Sequence, residues 1–261
     1  MNKADDFHST EAFVAMFDIL GFRALRRAKG TAELSAYYDN IVYSALQYTK
    51  SRYMDLTDNT VRFTAFSDTV IIYSQNTSVP TFMVMLAASR ELLQLGFCGG
   101  YAPFRGAIGY GDLSSRRGIL IGSSIEDAYK GEQSQVWSGC MLTPDLCNFL
   151  ENSGHFRGVE TAIKFAINQR REKGEPYIDL EKFNQLLLKY SIPLQEKPLN
   201  EGVKYSRKEG IVLDWTRNVF HGAAAKAFLP AEAEHPIRII NNTVEFEEWS
   251  RFRSQALKQQ E

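Results

Sequence analysis

The sequence contains few of the residues on which several large classes of chemistry depend. Its three cysteines, Cys98, Cys140 and Cys147, lack the spacing of a metal site, and its four histidines are scattered along the chain. Zinc binding and histidine-based nucleophilic catalysis are therefore disfavoured. An odd number of cysteines without a pairing pattern predicts reduced thiols in the core of a cytoplasmic protein.

An excess of charge of one sign is also absent, because 30 basic residues stand against 31 acidic ones. No field across the whole surface would recruit nucleic acid or an anionic membrane. No apolar run is long enough to span a bilayer, and the first residues lack the basic-then-apolar layout of a signal peptide. We therefore expect a cytoplasmic chain with neither nucleic acid nor membrane as a partner. The 261 residues are 44% hydrophobic, enough for one sizeable core.

Two apolar, β-branched segments each carry one aspartate where a strand runs out. These are Phe13–Phe22 with Asp18 and Phe63–Tyr73 with Asp68. A carboxylate on apolar backbone is costly to bury unless it is paired or binds a metal. Two such carboxylates on neighbouring strands suit Mg²⁺, whose shell is completed by phosphates and waters. Gly21 then opens a helical stretch, and free N–H groups at a helix start bind phosphate.

The predicted elements up to Gly154 are a strand, helices, a hairpin that turns at Ser67–Asp68, a helix, a glycine-rich hairpin and a helix. This order is typical of an α+β protein with an antiparallel-dominated sheet, and not of a doubly wound sheet. Beyond Gly154 the patterns weaken. Helices are predicted over residues 159–171 and 180–190, a strand over 209–215 and a charged helical tail over 243–260.

Three motifs and one glycine-rich strand follow each other in the first half of the chain. They are Phe17–Phe22, Ser67–Asp68, Arg105–Gly111 and Gly122–Lys130. In this order they resemble the catalytic domain of class III nucleotidyl cyclases. The resemblance implies a ferredoxin-like class III cyclase core, an antiparallel-dominated sheet covered by helices, with a C-terminal helical extension. It places the catalytic domain at residues 8–215 and the extension, packed on the core or on a dimer partner, at 216–261.

The resemblance also implies a site for a metal-bound nucleotide. Asp18 and Asp68, with the carbonyl of Ile19, would hold two Mg²⁺ or Mn²⁺ ions. The backbone N–H groups of Leu20–Phe22 (Leu20, Gly21 and Phe22) would bind the β- and γ-phosphates, and Arg105 would belong to the substrate-binding set.

Two residues of the third motif complete the site that the resemblance implies. Lys130 stands where the family has arginine and would stabilise charge on the α-phosphate, although it lacks the bidentate fork of arginine. Glu126 replaces an asparagine that orients the ribose. In this family the metal aspartates and the third-motif residues of one site come from opposite subunits, which implies a homodimer.

The positions that select a purine base in this family are occupied by Thr64 and Ile119. A short hydroxyl and an aliphatic chain cannot supply the paired hydrogen bonds that discriminate a purine edge. The chain resembles instead the bacterial pyrimidine cyclases of the Pycsar anti-phage systems. UTP, giving cyclic UMP, is the favoured substrate, and CTP, giving cyclic CMP, is the alternative.

Other interpretations of the same residues stay open at this point. Asp18 could cap the following helix, and Asp68 could be a simple turn residue. Glu126 and Lys130 could form an ordinary surface pair, and Ser123 and Ser124 each begin a capping-box pattern. For the whole chain the alternatives are a non-catalytic, cyclase-like nucleotide-sensing module and a purine cyclase with a rebuilt base pocket.

Overall fold

The computed structural model describes residues 7–52, 61–98, 103–154, 187–196, 203–216, 219, 222–228 and 237–258. Within these ranges the strands are β1 (Phe7–Ile19), β2 (Val61–Phe66), β3 (Thr69–Ser74), β4 (Phe104–Arg116), β5 (Ile119–Ile121), β6 (Cys140–Leu142), β7 (Leu187–Glu196) and β8 (Lys204–Leu213). The helices are α1 (Phe22–Lys29), α2 (Thr31–Arg52), α3 (Val79–Cys98), α4 (Ser123–Ser134), α5 (Pro144–Asn152), α6 (Ala223–Phe228) and α7 (Ile237–Lys258).

The first four strands form a sheet in the order β2-β3-β1-β4, with β1 antiparallel to both of its neighbours. Helices α1 and α2 lie between β1 and β2 in the chain, and α3 lies between β3 and β4. Each crossover thus joins parallel strands separated by β1 or β3, which is the β-α-β-β-α-β arrangement of ferredoxin-like folds. The predicted α+β class with an antiparallel-dominated sheet covered by helices is confirmed.

The sheet continues beyond β4 through β6, β8 and β7, and β5 pairs with the far end of β4. The pairing of β4 with β6 is parallel, and the other pairings are antiparallel. The predicted helix over 180–190 is wrong at its end, because residues 187–190 belong to β7. Alternate residues of this strand, Leu188, Tyr190 and Ile192, are buried. Burial with a period of two is typical of a strand, and here it outweighs the short helical pattern on which the prediction rested. Residues 159–171 and 180–186 lie outside the described part.

The two faces of the sheet are covered by different helices. Phe13, Phe17 and Ile19 point from β1 into the main core, where they pack with residues of α1, α2 and α3. Ala12 and Val14 point to the opposite face and pack with α4. Because side chains alternate along a strand, Asp18 lies on the face that α4 covers.

The glycine-rich part of β4 lets α4 approach the sheet closely. A Cβ at Gly109 would lie 2.6 Å from the backbone nitrogen of Ala128, and one at Gly111 would lie 2.8 Å from that of Ser124. Side chains at these positions would push α4 off the sheet. Close packing therefore accounts for these two glycines.

The C-terminal helix α7 begins six residues before the predicted start at 243 and packs on the core. Phe246 is fully buried in the main cluster, and the Thr243 hydroxyl accepts a hydrogen bond from the Ser138 N–H at 2.8 Å. The domain boundary between the catalytic domain, residues 8–215, and the C-terminal extension, residues 216–261, stays a prediction.

The cysteines are free thiols, as predicted, but they do not all lie in the core. Cys140 is buried, and burial raises the pKa of its thiol, whereas Cys98 is exposed. The prediction of core thiols is therefore wrong for Cys98.

None of the described helices combines the length and the apolar character that a membrane crossing requires.

Candidate functional site

Asp18 and Asp68 lie side by side at one end of the sheet. Asp18 is the penultimate residue of β1 and pairs in register with Thr69, the first residue of β3. Asp68 precedes Thr69 in the tight turn of the β2–β3 hairpin, and its carbonyl accepts a hydrogen bond from the Ile19 N–H at 3.0 Å. Asp68 is thus a diagonal neighbour of Asp18 across this strand pair, opposite Ile19 and one residue before the register partner of Asp18.

The electrostatics of this place are unfavourable for two free carboxylates. Burial first, and then the charges of Glu132 and Asp68, raise the pKa of Asp18 from 3.8 to about 7, while the Arg105 charge opposes the shift. A divalent cation would compensate this excess of negative charge, so the donor set fits Mg²⁺ or Mn²⁺. Within the described residues, no group of three or more His, Cys, Asp or Glu side chains is arranged so that it could hold a metal ion. Phosphates and waters would have to complete the metal shell.

Arg105 lies directly opposite Asp18 in β4 and is held from α4. Its Nε donates to the Glu132 carboxylate at 2.6 Å, and one Nη donates to the Gln135 carbonyl at 3.2 Å. The side chains of Arg105 and Glu132 are 10% and 1% exposed. Arg105 and Glu132 therefore form a buried ion pair next to the end of β1 that carries Asp18. The contact of Arg105 with substrate stays a prediction.

Helix α1 has its N-cap three residues after Asp18. Its N-cap is Gly21, at φ 73°, and no side chain caps the helix. The alternative role of Asp18 as the helix cap is therefore wrong. The Leu20 N–H donates to the Pro103 carbonyl at 3.0 Å, so Leu20 does not offer a free donor as predicted. Gly21 and Phe22 remain the predicted phosphate ligands.

Glu126 and Lys130 lie on the outer side of α4, away from the aspartates of the same chain. Their side chains are 72% and 75% exposed and form an i,i+4 ion pair at 3.5 Å. Neither is among the charges that shift the pKa of Asp18. Within one chain the structure thus separates the two halves of the predicted site.

The predicted capping boxes at the start of α4 are not formed. The N-cap is Gly122, without a side-chain cap. The Ser123 hydroxyl instead donates to the Asp112 carboxylate, and Asp127 accepts from the Tyr110 N–H at 3.1 Å. Both contacts tie α4 to β4 because the glycine-rich strand lies so close.

The two positions predicted to contact the base, Thr64 and Ile119, are both exposed. Ile119 is 62% exposed on β5 and is therefore not a core residue. Thr64 pairs with Ile71 and Ile119 pairs with Arg116, which places them on different hairpins. Their role in base selection stays a prediction.

Two residues near the aspartates are missing from the predicted site. Glu132 could have been noticed, because Ser124, Ala128 and Glu132 recur every four residues and form the buried stripe of α4. Tyr38 offers no such signal, since its spacing on α2 is that of an apolar core residue. Its hydroxyl is shielded from solvent, and the charges of Asp68 and Asp18 both act on it.

Comparisons with known proteins identify similar solved structures. No protein-family model matches the chain, and no curated protein matches it. The catalytic core of a rhodopsin-guanylyl cyclase with converted specificity, in complex with ATPalphaS, is 8% identical with a TM-score of 0.46, over 79% of this chain and 99% of that one. The guanylyl cyclase Cya2 is 9% identical with a TM-score of 0.35, over 82% and 98%.

A third structure, a class III adenylyl cyclase-like ATP-binding protein from Pseudomonas aeruginosa, is 12% identical with a TM-score of 0.32, over 53% of this chain and 34% of that one. With all three TM-scores below 0.5, these likenesses do not define the family or the activity of the chain.

Proposed function

We propose that this chain is a nucleotidyl cyclase of the class III type, which converts a nucleoside triphosphate into a 3′,5′-cyclic nucleotide and pyrophosphate. The observation that carries the proposal is the position of Asp18 and Asp68 at the same end of adjacent strands, where the Asp68 charge helps to raise the pKa of Asp18. Two carboxylates on adjacent strands, followed at once by a helix start, suit a magnesium-bound triphosphate. The order of the three sequence motifs supports the same assignment.

In this reaction the 3′-oxygen attacks the α-phosphorus of the same nucleotide, and the bond from that phosphorus to the β-phosphate oxygen breaks. Bound Mg²⁺ or Mn²⁺, two ions per site, would lower the pKa of the 3′-hydroxyl and neutralise charge on the phosphates. Asp18 and Asp68, with the Ile19 carbonyl, would hold these ions. The backbone N–H groups of Gly21 and Phe22, at the start of α1, would orient the β- and γ-phosphates.

Lys130 and Glu126 would act on the nucleotide held by the opposite subunit of a homodimer. Their exposure on α4, apart from the aspartates of their own chain, supports this arrangement. Exposed apolar side chains near the two predicted base positions also support a subunit interface, since Phe66 is 83% exposed and Ile121 is 69% exposed. Lys130 would stabilise charge on the α-phosphate, and Glu126 would accept a hydrogen bond from the ribose.

The favoured substrate is UTP, and the product, cyclic UMP, would serve as a signal in anti-phage defence. Thr64 can donate or accept one hydrogen bond, and Ile119 offers none, so a purine edge would lack a paired partner. Cytidylate cyclase activity on CTP is the alternative within the same class.

A non-catalytic nucleotide sensor is the second candidate, and one observation favours it. Glu126 and Lys130 neutralise each other at 3.5 Å, so each would have to leave its partner to contact a nucleotide. Such a sensor would bind nucleotide and metal without turnover.

The deciding experiment offers the purified protein each of the four labelled nucleoside triphosphates with Mg²⁺ or Mn²⁺. We expect a cyclic pyrimidine product from the wild type and none from Asp68→Ala. The matched control is Asp39→Ala on α2, an exposed aspartate that should leave product formation unchanged. Nucleotide binding without any product would support the sensor, and product that persists in Asp68→Ala would reject the metal assignment.

The shared site is tested by mixing two inactive variants, Asp68→Asn and Lys130→Ala. If each site combines residues of two subunits, random mixing restores about a quarter of the wild-type sites, because half of the dimers contain one intact site. Mixtures that stay inactive while the two variants exchange subunits would contradict the composite site.

A further inference from the structure

Leu20 lies between the two parts of the proposed site that are built from backbone atoms. It follows Ile19, whose carbonyl is a predicted metal ligand, and precedes Gly21 and Phe22, the predicted phosphate ligands. The Gly21 N–H and the Phe22 N–H donate to no other residue in the described part of the chain, as is usual at a helix start. Whatever fixes Leu20 therefore also fixes where these two donors point.

The side chain of Leu20 is buried outside the main core. It belongs to a separate cluster of buried apolar side chains with Val136 and Ile239, and Ile240 packs against this cluster. Val136 lies just after the end of α4, and Ile239 lies in the first turn of α7. Helix α7 thus helps to bury the residue that directly precedes the predicted phosphate ligands.

Polar contacts hold the start of α7 beside Val136. The side-chain Nδ2 of Asn242 donates to the Val136 carbonyl at 2.7 Å. The Ser138 N–H donates to the Thr243 hydroxyl at 2.8 Å, and that hydroxyl donates to the Ile239 carbonyl at 2.7 Å. These bonds fix the place of Ile239 in the cluster independently of the apolar contacts.

The backbone around Leu20 leaves room for the side chain to matter. The Leu20 N–H donates to the Pro103 carbonyl at 3.0 Å, and α1 begins at Phe22. Between these two points stands Gly21, at φ 73°, and glycine has little conformational preference of its own. Packing of the Leu20 side chain supplies a further restraint on the turn. A misplacement of about 1 Å at a substrate ligand can lower a rate by about a hundredfold.

We propose that Ile239 is a positioning residue for the phosphate-binding turn, residues 20–22, and that it acts on this turn through Leu20. The inference deepens the proposed function, because it rests on Gly21 and Phe22 as the phosphate ligands. It gives the C-terminal extension a part in binding the triphosphate that none of the three sequence motifs indicates.

The test measures the affinity of the full chain for inorganic tripolyphosphate with saturating Mg²⁺ by isothermal titration calorimetry. We expect Ile239→Ala to bind it about tenfold more weakly than wild type, because the shortened side chain no longer fixes Leu20. The affinity for Mn²⁺ alone, measured by electron paramagnetic resonance, should stay within about twofold of wild type, since Asp18 and Asp68 lie outside the cluster.

The control is Val244→Ala, which shortens a half-buried side chain of the same helix that packs on the main core. This variant should keep the wild-type affinity for tripolyphosphate, and equal weakening in the two alanine variants would overturn the inference. Ile239→Leu conserves the side-chain volume and should restore most of the affinity. Circular dichroism checks folding, and Ile239→Val, with a loss of about twofold to threefold, replaces the alanine variant if that one is unfolded.

A double-mutant cycle shows whether Ile239 acts through Leu20. Leu20→Ala alone should weaken tripolyphosphate binding, and adding Ile239→Ala should weaken it little further. Losses that simply add would overturn the route through Leu20. Equal affinities of wild type and Ile239→Ala would overturn the inference and leave the phosphate-binding turn standing. A wild type that binds no tripolyphosphate would overturn both.

Discussion

The two halves of the proposed site differ in how their charges are compensated. Asp18 and Asp68 lie in a shielded place, where burial and neighbouring carboxylates raise the pKa of Asp18 to about 7. Glu126 and Lys130 lie in solvent and neutralise each other. Like charges thus act on each other in the first half, whereas each charge of the second half lies beside an opposite one. The strand-end carboxylates therefore carry the structural indication of a ligand.

The same contrast divides helix α4 itself. Its outer pair, Glu126 and Lys130, is exposed, while its inner residue Glu132 forms a buried ion pair with Arg105 at 2.6 Å. An exposed pair is worth little, because water and salt screen it, whereas breaking a buried pair leaves an uncompensated charge. One helix thus presents a surface that can face a partner and a buried face that stabilises the surroundings of Asp18.

The largest expected effect follows from removing a strand-end carboxylate. Asp18→Asn and Asp68→Asn should each lower the turnover of the proposed cyclase by about a thousandfold or more, because each removes a negative oxygen ligand of the metals. Steady-state assays with the preferred triphosphate and Mn²⁺ measure the loss.

The control for these variants is Asp39→Asn, on the exposed side of α2, which should keep wild-type turnover. Circular dichroism should show the same folded state for all three. A strand-end variant that keeps more than a tenth of wild-type turnover would contradict the metal assignment.

The next effect concerns stability and compares two glutamates of one helix. Glu132→Gln should lower the free energy of unfolding by about 3 kcal/mol, because the buried guanidinium of Arg105 then lacks its counter-charge. Glu126→Gln is the matched control and should change it by less than about 0.5 kcal/mol. Urea denaturation at neutral pH measures both. Similar losses for the two variants would show that burial does not separate the pairs.

Much of the fold around Asp18 could be predicted from local sequence. The apolar run of β1, the turn at Ser67–Asp68 and the glycine-rich β4 each have a pattern within one element, and each is found in the structure. Local patterns sufficed because each of these elements has its own apolar period, turn residues or glycines, although β1 and β4 pair with strands that are distant in sequence.

The support of the site could not be predicted in the same way. The pair of Arg105 and Glu132 joins residues 27 positions apart, on β4 and α4. No periodic pattern in the sequence indicates such a contact. The end of the predicted helix over 180–190 failed for the related reason that pairing with β8 decided the conformation of β7.

A smaller effect follows from the raised pKa of Asp18. The folded protein holds this proton more tightly than the unfolded chain, so the stability of the metal-free protein falls as pH rises from about 4 to about 7. Asp18→Asn removes this penalty. With allowance for solvent screening, the variant should be about 1–2 kcal/mol more stable than wild type at pH 8. The gain should be smaller at pH 5, where the native carboxyl is protonated.

Urea denaturation with a chelator present measures both gains. Added Mn²⁺ should reverse the order at pH 8, because it stabilises the wild type and finds no second carboxylate in the variant. A gain of equal size at the two pH values would mean that ionisation of Asp18 is not its cause.

The smallest effect concerns the turn that presents Asp68. Ser67 lies at φ 57° in this two-residue turn, a conformation that a side chain makes unfavourable by about 1–2 kcal/mol. Ser67→Gly removes that strain but loses about 0.5–1 kcal/mol to the greater freedom of the unfolded chain, so a net gain of up to about 1 kcal/mol is expected. Ser67→Ala keeps the Cβ and should show no gain. Turnover of the glycine variant should stay within about twofold of wild type, because the bond from the Ile19 N–H to the Asp68 carbonyl still fixes the aspartate. If the glycine variant is instead less stable and also loses turnover, the strain at Ser67 helps to hold Asp68 against Asp18.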